Sequence, residues 1–448
     1  MAEVAPTQED PLLAHGSELI GGPAGRNRRM RTGWWSPLRV LIMLSALGYG
    51  IGIWLGSSCR TSAWSSPERY EHLCYTDIHP FYTLNGLAEG AIPYLDISAS
   101  HQLVDSPVLV GMFMQISALI TRGITAIAPD ASASTVFFEV NVVLLFVALL
   151  VVVIATALAA RNRPWDAAMV ALAPMMILAA RINWDLLAVA LVALALLQLT
   201  RNRSIATGVL LGAAMAAAHY PVVVLFALVV CALRTKQVSS TGRMVLAAVI
   251  SWLVINLPII VLNFDGWSAI YRKMLDSGPE LGSVWFALAQ WGGPLLSARS
   301  VTLASALLFL AALAAITALV LHATVPPRAA SVIFLVVAAY ALTAKGFSPQ
   351  FGIWLIPLAV LARPRWRDFL IWQGAEVVYF IAVWWYLAGY EIAGAKGLSA
   401  EWYAFATLVH VAGTLFFVAM VIRDMVKPQA DPVRLTTPNP VPHQSVMS

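Results

Sequence analysis

The sequence predicts an all-α polytopic membrane protein with about twelve transmembrane helices. Of its 448 residues, 60% are hydrophobic and 11% are charged, and the mean hydropathy is +0.77. This composition excludes a soluble domain. The apolar runs are long and continuous rather than alternating, which indicates helices and not a β-barrel.

Arginine and lysine cluster in the short links between the apolar runs. The net charge of +5 therefore follows the positive-inside rule, and we expect no nucleic-acid partner. The polar amino-terminal stretch ends in Arg26, Arg28, Arg29 and Arg31, directly before the first apolar run. That run is predicted to be a signal anchor in a multi-pass cell-membrane protein, with both termini in the cytoplasm.

The predicted membrane domain covers residues 36–425. Its spans lie near 38–57, 134–158, 166–180, 185–200, 204–218, 221–233, 243–265, 300–323, 330–344, 351–362, 368–389 and 403–422. Several of these runs are shorter than the ~17 residues that a span usually needs, so we expect their ends to lie in protein rather than in lipid.

The apolar stretch 106–128 is predicted not to cross the membrane. A crossing there would move every later basic link to the outer side, against the charge bias. We expect a helix at the outer surface, or one that enters and returns, interrupted at Arg122 and Gly123. The alternative is a protein of thirteen spans with a weaker charge bias.

Two outer loops and two tails complete the predicted organisation. The first outer loop, 58–133, carries surface helices, and the second, 265–299, is rich in Trp, Gly and Pro. Loops of this length are usually functional or disordered, and their aromatic residues favour packing at the membrane interface. The tails 1–35 and 426–448 have the composition of disordered cytoplasmic segments.

Two carboxylates on the predicted outer side are candidate catalytic residues. Asp77 lies in CYTDIHPFYTLNGLAEGAIPY, at the N-terminal end of a predicted amphipathic helix, where it could accept a proton from an attacking hydroxyl group. The alternative for Asp77 is a structural N-cap. Asp185, in INWDLLAVALVALAL, begins a span, where a charge needs a partner or a ligand; the alternative is an ion pair with Arg181.

Four further polar residues on the same side are candidates for binding an anion. His219 lies at a helix break in AAAHYP, and Lys345 and Gln350 lie in KGFSPQFG. Arg272, in the second outer loop, is a positive charge on the side where such charges are rare. The alternatives are a buried hydrogen-bonding role for His219 and contact of the cations with lipid headgroups.

The cysteines and the acidic residues give two further expectations. Cys59 and Cys74 both lie in the first outer loop, in an oxidising compartment, so we predict a disulfide that holds the segment before Asp77. The acidic residues are compatible with a divalent cation without requiring one, and we assign no metal ligands and no cofactor.

The chain resembles the GT-C glycosyltransferases through the order and spacing of several segments. It is most similar to the actinobacterial α-mannosyltransferases that use polyprenyl-phosphomannose, over about residues 38–422. The segments are CYTDIHPFYTLNGLAEGAIPY, SPVLVGMF, RPWDAAMVALAP, INWDLLAVALVALAL, GVLLGAAMAAAHYP and SPQFGIWLIPLAVLARPRWRDF.

This resemblance implies transfer of a sugar, with mannose favoured, from a polyprenyl-phosphate donor to a glycolipid or polysaccharide of the cell envelope on the outer face. It assigns the base to Asp77 and the second acidic position to Asp185. Relatives commonly carry Lys in place of His219, and an acidic residue followed by Tyr-Pro in place of 105–107. The alternatives are an arabinofuranose donor, a lipid or sugar transporter or flippase, and a noncatalytic partner in envelope assembly.

Overall fold

The structure is a computed structural model that describes residues 4, 10–21, 35–96, 100–391 and 397–436. These residues form helices and connecting loops, with no strand among them. The α-helices are Pro11–Gly21, Pro37–Leu55, Ser57–Thr61, Glu68–Glu71, Ile78–Leu84, Val108–Ile127, Ala133–Ala159, Ala168–Ala171, Pro174–Ala179, Asp185–Thr200, Ser204–Met215, Pro221–Thr235, Val238–Leu262, Phe264–Asp276, Val284–Gln290, Ala298–His322, Ala329–Thr343, Gly352–Ala362, Trp366–Glu391, Ala400–Val426 and Pro432–Thr436.

All-α architecture is confirmed in the described part of the chain, and a helix lies at every predicted span. Seven helices are long and apolar enough to cross a membrane, and five further apolar helices are shorter. The predicted span 166–180 is divided, because Pro174 begins a new helix and cannot continue the hydrogen-bonding pattern of the preceding one. The short helices therefore depend on their neighbours to shield their ends.

Close packing of small residues joins two of these helices. Gly208 and Gly212 face the helix Val238–Leu262 so closely that an added Cβ would lie 2.1 Å from the carbonyl oxygen of Met244 and 2.2 Å from that of Ala248. Glycines four residues apart let two helix backbones approach in this way. A side chain at either position would push the helices apart.

The stretch 106–128 forms one continuous helix, Val108–Ile127, so the predicted interruption at Arg122 and Gly123 is wrong. Gly123 is tolerated within the helix because both neighbours continue its hydrogen-bonding pattern. By length and composition this helix is one of the seven that could cross a membrane. The continuity of the helix does not decide whether it crosses the membrane.

Contacts of the helix Val108–Ile127 indicate on which side of the bundle its two ends lie. Ser117 bonds Asn141 at 3.2 Å, and the same Asn141 oxygen accepts a bond from Trp184, next to Asp185, at 2.7 Å. Five residues, 128–132, connect its end to the start of the helix Ala133–Ala159. Pro107 and Val110, at the start of this helix, line the same chamber as Asp185, so both ends of Val108–Ile127 lie toward the Asp185 end of the bundle. The non-crossing interpretation is favoured and stays a prediction.

Cysteine labelling from outside the cell tests the predicted topology. Thiols introduced at Ser348 and Gly278 should react with a reagent that cannot cross the membrane, whereas thiols at Arg163 and Arg365 should not, because the basic links are expected inside. Reaction at Arg163 from outside would mean that the stretch 106–128 is a thirteenth span.

Parts of both tails that were predicted to be disordered are ordered and attached to the bundle. In the first, Asp10 accepts a 2.8 Å bond from the backbone N–H of Trp366, next to the helix Pro11–Gly21. In the second, Asp431 pairs with Arg328 at 2.7 Å. These buried acid groups fix segments whose composition alone suggests disorder. The predictions for 1–3, 5–9, 22–34 and 437–448 lie outside the described residues.

The predicted disulfide between Cys59 and Cys74 is confirmed, with a Cα–Cα distance of 5.9 Å. It encloses Trp64, whose indole N–H donates a 3.1 Å bond to the carbonyl oxygen of Cys74 and whose ring stacks on His79. Since Cys74 lies three residues before Asp77, the disulfide restrains the segment that carries this carboxylate.

Loss of the disulfide should lower stability. We expect Cys59→Ser to reduce the free energy of unfolding by about 2–4 kcal/mol, because the loop it closes regains conformational freedom in the unfolded chain. Thermal denaturation of the purified protein in detergent would measure the change. The double variant Cys59→Ser/Cys74→Ser is the control. A much larger loss of stability in the single variant than in the double variant would assign the effect to the free thiol of Cys74.

Candidate active site

Two chambers with a shared wall lie where the segments 58–133 and 265–299 meet the ends of the bundle helices. One has a volume of about 380 Å³ and is lined by Asp77, and the other has about 330 Å³ and is lined by His219 and Lys345. The shared wall consists of Asp105, Ser106, Pro107, Asn183, Asp185, Ala217 and Lys273. The structure therefore brings together groups that lie far apart in the sequence.

Asp77 occupies the N-cap position of the helix Ile78–Leu84, but its side chain does not cap the helix. The capping bond comes from the Thr76 hydroxyl, which accepts from the backbone N–H of Ile78 at 3.1 Å. The Asp77 carboxylate instead accepts a 2.6 Å bond from the Tyr75 hydroxyl and faces the 380 Å³ chamber. The structural alternative of a simple cap is thus wrong.

Burial raises the pKa of Asp77 to about 6, against the lowering effect of the Tyr75 bond. Among the charged neighbours, Asp105 raises this pKa and Lys273 lowers it. A carboxyl group of this kind is ionised at neutral pH and yet is a stronger base than an exposed aspartate. Both properties suit a general base.

Aromatic rings hold Tyr75 in place behind Asp77. The Tyr75 ring packs against Tyr70, at 5.6 Å, and against Trp384, at 4.6 Å between centroids, and these two rings are 6.2 Å apart. The Arg69 guanidinium lies over both tyrosine rings. Stacking of this kind restricts ring motion, so the hydroxyl group that bonds Asp77 is fixed in direction.

Backbone bonds tie the Asp77 segment to the segment before Asp185. The Asp77 N–H donates to the carbonyl oxygen of Ile182 at 2.8 Å, and the Thr76 hydroxyl donates to that of Arg181 at 2.8 Å. Asn183 then accepts from the backbone N–H of Asp185 at 3.0 Å and caps the helix Asp185–Thr200. The two carboxylates are thus set in one cavity by a short chain of hydrogen bonds.

Arg181 does not pair with Asp185, so the predicted alternative of an ion pair is wrong. Its guanidinium donates to the carbonyl oxygens of Gly52, at 2.5 Å, and Tyr49, at 3.3 Å, and lies over the Tyr49 ring. The side chain points into the bundle because the absence of a Cβ at Gly52 leaves the space it fills. Asp185 is left facing the cavity.

Buried polar atoms without hydrogen-bond partners converge on the two chambers. Within the described residues they are Asp185 Oδ2, His219 Nε2, Gln350 Oε1 and Trp354 Nε1, and of these the Trp354 indole N–H and the Asp185 carboxylate face each other. Native proteins leave few buried polar atoms unpaired, and a cluster of them marks a place where a ligand or water completes the bonding. Acceptors and donors are both present, which suits a polyhydroxylated ligand.

Lys273 is the cation of the shared wall, and the sequence interpretation did not select it. It forms an ion pair with Asp105, which lines the same wall, and its side chain is 68% exposed. Arg272, which was selected, lies outside both chambers and pairs with Asp265 at 3.1 Å. The helix Phe264–Asp276 explains this correction, because Ile270, Lys273 and Met274 share the face that lines the cavity and Arg272 lies on another face.

Lys345 lines the 330 Å³ chamber, but its ammonium group is engaged by protein. It donates to the carbonyl oxygens of Met274 and Ser277, and to the Thr302 hydroxyl at 3.1 Å. Partial desolvation lowers the pKa of Lys345. These bonds close the C-terminal end of the helix Phe264–Asp276, so Lys345 fixes the helix that carries Lys273, and headgroup contact is not its role here.

His219 and Gln350 both lie at the cavity, as the sequence predicted. His219 lines the 330 Å³ chamber and packs beside Tyr271, with the two rings edge to face at 5.7 Å between centroids. Burial lowers the pKa of His219. The neutral imidazole can donate a hydrogen bond without adding a charge. Gln350 is buried and lines the 380 Å³ chamber.

Three groups of the site escaped the sequence interpretation besides Lys273. They are Tyr75, Asn183 and Trp354, all common residue types without a distinguishing motif. In the described residues no cluster of three or more His, Cys, Asp or Glu side chains is placed to hold a metal ion. The site is therefore described by its carboxylates, its cation and its unpaired polar atoms.

Comparisons with known proteins add little to this description. No protein-family model and no curated protein matches the chain. The crystal structure of ArnT from Cupriavidus metallidurans bound to undecaprenyl phosphate is similar over 88% of this chain and 74% of that chain, with 14% sequence identity and a TM-score of 0.48. Similarity of this degree does not assign the chain to a family, and the argument for function rests on the site.

Proposed function

We propose that this chain is an integral-membrane glycosyltransferase that moves a sugar from a polyprenyl-phosphate donor to a hydroxyl group of an envelope glycolipid or polysaccharide. The observation that carries the proposal is the cavity in which a carboxylate with the properties of a base, Asp77, faces a cation, Lys273. The cavity lies at one end of a bundle of apolar helices, where a lipid-linked substrate can reach it.

The reaction follows from this arrangement. Asp77 removes the proton from the acceptor hydroxyl group as its oxygen attacks the anomeric carbon of the donor sugar. A new carbon–oxygen bond forms, the bond between the anomeric carbon and the phosphate oxygen breaks, and its electron pair leaves with the polyprenyl phosphate. The proton remains on Asp77 until solvent takes it.

Negative charge develops on the departing phosphate, and Lys273 is the group best able to compensate it. In the present arrangement Asp105 neutralises Lys273, so a phosphate would compete with this carboxylate for the ammonium group. The unpaired Nε2 of His219 is a further donor on the same side. Asp185 and Gln350 offer acceptors for hydroxyl groups of a sugar.

Mannose is the favoured donor sugar because the resemblance in sequence is to mannosyltransferases, and arabinofuranose is the second candidate. The pocket residues themselves do not distinguish these sugars. A lipid or sugar transporter is the alternative outside enzymes. Such proteins carry their substrate site near the middle of the membrane between repeated halves, whereas the unpaired polar atoms here collect where outer loops cover the helix ends.

A donor panel with membranes that contain the chain tests the proposal. Radiolabelled polyprenyl-phosphate mannose and polyprenyl-phosphate arabinofuranose are supplied separately with endogenous acceptors, and membranes without the chain are the control. We expect labelled product from the mannose donor. Product from the arabinofuranose donor alone would make arabinofuranose the donor sugar in place of mannose. Consumption of neither donor would overturn the enzyme assignment.

The rate of transfer should fall on the acid side with a midpoint near pH 6. The pKa of Asp77 is raised to about 6, and only the ionised carboxylate can accept a proton. The base is therefore mostly available above pH 7 and is lost as the pH falls through 6. Initial rates at saturating donor across this range provide the measurement, and a midpoint at about pH 4, the ordinary range of aspartate, would contradict the assignment.

A further inference from the structure

A separate cavity of about 330 Å³ lies at the other end of the bundle and shares no lining residue with the candidate active site. The helix Asp185–Thr200 connects the two regions. It begins at the active-site cavity with Asp185 and ends with Leu196, Leu199 and Thr200 in the wall of the other cavity. Its 16 residues correspond to about 24 Å of helix.

Two copies of the sequence Arg-Asn-Arg, at 161–163 and 201–203, lie at this end of the bundle, and only the first lines the cavity. Arg161 links the first copy to the residue before the second, since its guanidinium donates a 2.8 Å bond to the carbonyl oxygen of Thr200. Arg161 lines the cavity and has no carboxylate partner in the part of the chain that the structure describes. Its positive charge is therefore not neutralised locally.

Two more arginines line the cavity, each paired with an acid. Arg163 bonds Asp166 at 2.8 Å, and Arg328 bonds Asp431 at 2.7 Å. Arg201 and Arg203, in the second Arg-Asn-Arg sequence, are exposed. Of the three arginines that line the cavity, Arg161 is thus the one without an acid partner among the described residues, so the wall carries an excess positive charge.

The remainder of the wall is apolar and is formed by four elements. The apolar side chains are Leu196, Leu199, Ile333, Val360, Leu361 and Val433. A cationic rim joined to an apolar wall is the pattern of a site for an anionic amphiphile. The charge bias of membrane proteins accounts for arginines at this end, but it does not account for an open cavity beneath them.

We infer that this cavity binds an anionic phospholipid of the leaflet at this end of the bundle. The headgroup phosphate bonds Arg161, and the first part of an acyl chain lies along Leu199 and Ile333. The cavity is smaller than a whole phospholipid, so most of the acyl chains lie outside it. The inference does not depend on the proposed enzyme activity.

Native mass spectrometry of the full-length protein in mild detergent tests this site with phosphatidylglycerol and phosphatidylcholine as probes. The decisive variant is Arg161→Asn, because Arg161 has a left-handed backbone with φ of 56° that asparagine tolerates well. The matched control is Arg201→Asn, which removes the same charge from the other Arg-Asn-Arg sequence; both arginines are exposed, but Arg201 does not line the cavity.

We expect the wild type to retain one phosphatidylglycerol in preference to phosphatidylcholine. Arg161→Asn should weaken that binding about tenfold, the effect of losing one charged hydrogen bond, and Arg201→Asn should change it less than about twofold. Equal losses of binding in the two variants would show that the lipid is attracted only to the charged surface and would overturn the site. Equal retention of phosphatidylglycerol and phosphatidylcholine would also overturn it.

A crosslinking measurement keeps the inference testable if the Arg161 variant is unstable. Phosphatidylglycerol with a diazirine in its acyl chain is bound to the wild-type protein and activated by light. Label should appear in peptides that contain Leu199 or Ile333, because these side chains form the apolar wall. Label spread evenly over the exposed faces of the long helices would contradict a specific site.

Discussion

Asp77→Asn is expected to reduce sugar transfer at least ~100-fold, the low end of the effect of losing a general base. Asparagine has the shape of aspartate and can still accept the bond from Tyr75, which now lies at 2.6 Å from Asp77, but it cannot take up a proton. Binding of the donor should persist, because the variant leaves Lys273 in the shared wall and leaves His219 in the chamber that Asp77 does not line.

The control for this variant is Asp185→Asn, in the same cavity. Asp185 is expected to position a substrate hydroxyl group through its unpaired Oδ2, so its loss should be milder and should act more on the acceptor KM than on kcat. Both proteins should be inserted and folded normally, as judged by yield and thermal denaturation. Near-normal turnover of Asp77→Asn with an inactive Asp185→Asn would assign the base to Asp185.

Lys273→Gln is expected to reduce kcat about 100-fold, the scale of removing one group that stabilises charge in a transition state. The same change leaves Asp105 without its partner. Because Lys273 lowers the pKa of Asp77 and Asp105 raises it, the acid limb of the pH profile should also move to higher pH. A joint effect on rate and pH midpoint distinguishes this role from a structural one.

Arg272→Gln is the matched control for Lys273→Gln. It removes the same charge from the neighbouring position of the same helix, but Arg272 lies outside both chambers and Lys273 lines them. We expect activity within about twofold of the wild type, since exposed ion pairs contribute little. Similar losses in the two variants would assign the effect to the general charge of the second outer loop rather than to a phosphate contact.

The fold was largely predictable because lipid as a solvent leaves few choices. A spanning segment must satisfy its own backbone, so each long apolar run indicates a helix. The errors occur where tertiary contacts override composition. Asp10 and Asp431 fix segments that look disordered, and the helix Val108–Ile127 continues through Gly123.

The site was predictable in its carboxylates and less so in its cations. Asp77, Asp185 and Gln350 carry polar groups at helix ends of an apolar chain, and that position alone marks them. The choice between Arg272 and Lys273 depends on which helix face meets the cavity, and reading 264–276 as an amphipathic helix would have indicated Lys273. Tyr75 and Trp354 gave no signal, because aromatic residues are common at membrane interfaces.

The central claim is that the chain breaks the bond between a sugar and a polyprenyl phosphate. The most direct measurement uses purified protein in liposomes with doubly labelled polyprenyl-phosphate mannose and a purified envelope glycolipid. We predict that one polyprenyl phosphate is released for each sugar joined to the acceptor, and that Asp77→Asn nearly abolishes both. Intact donor that crosses the bilayer in the wild type, with no polyprenyl phosphate released, would contradict the claim and indicate a transporter.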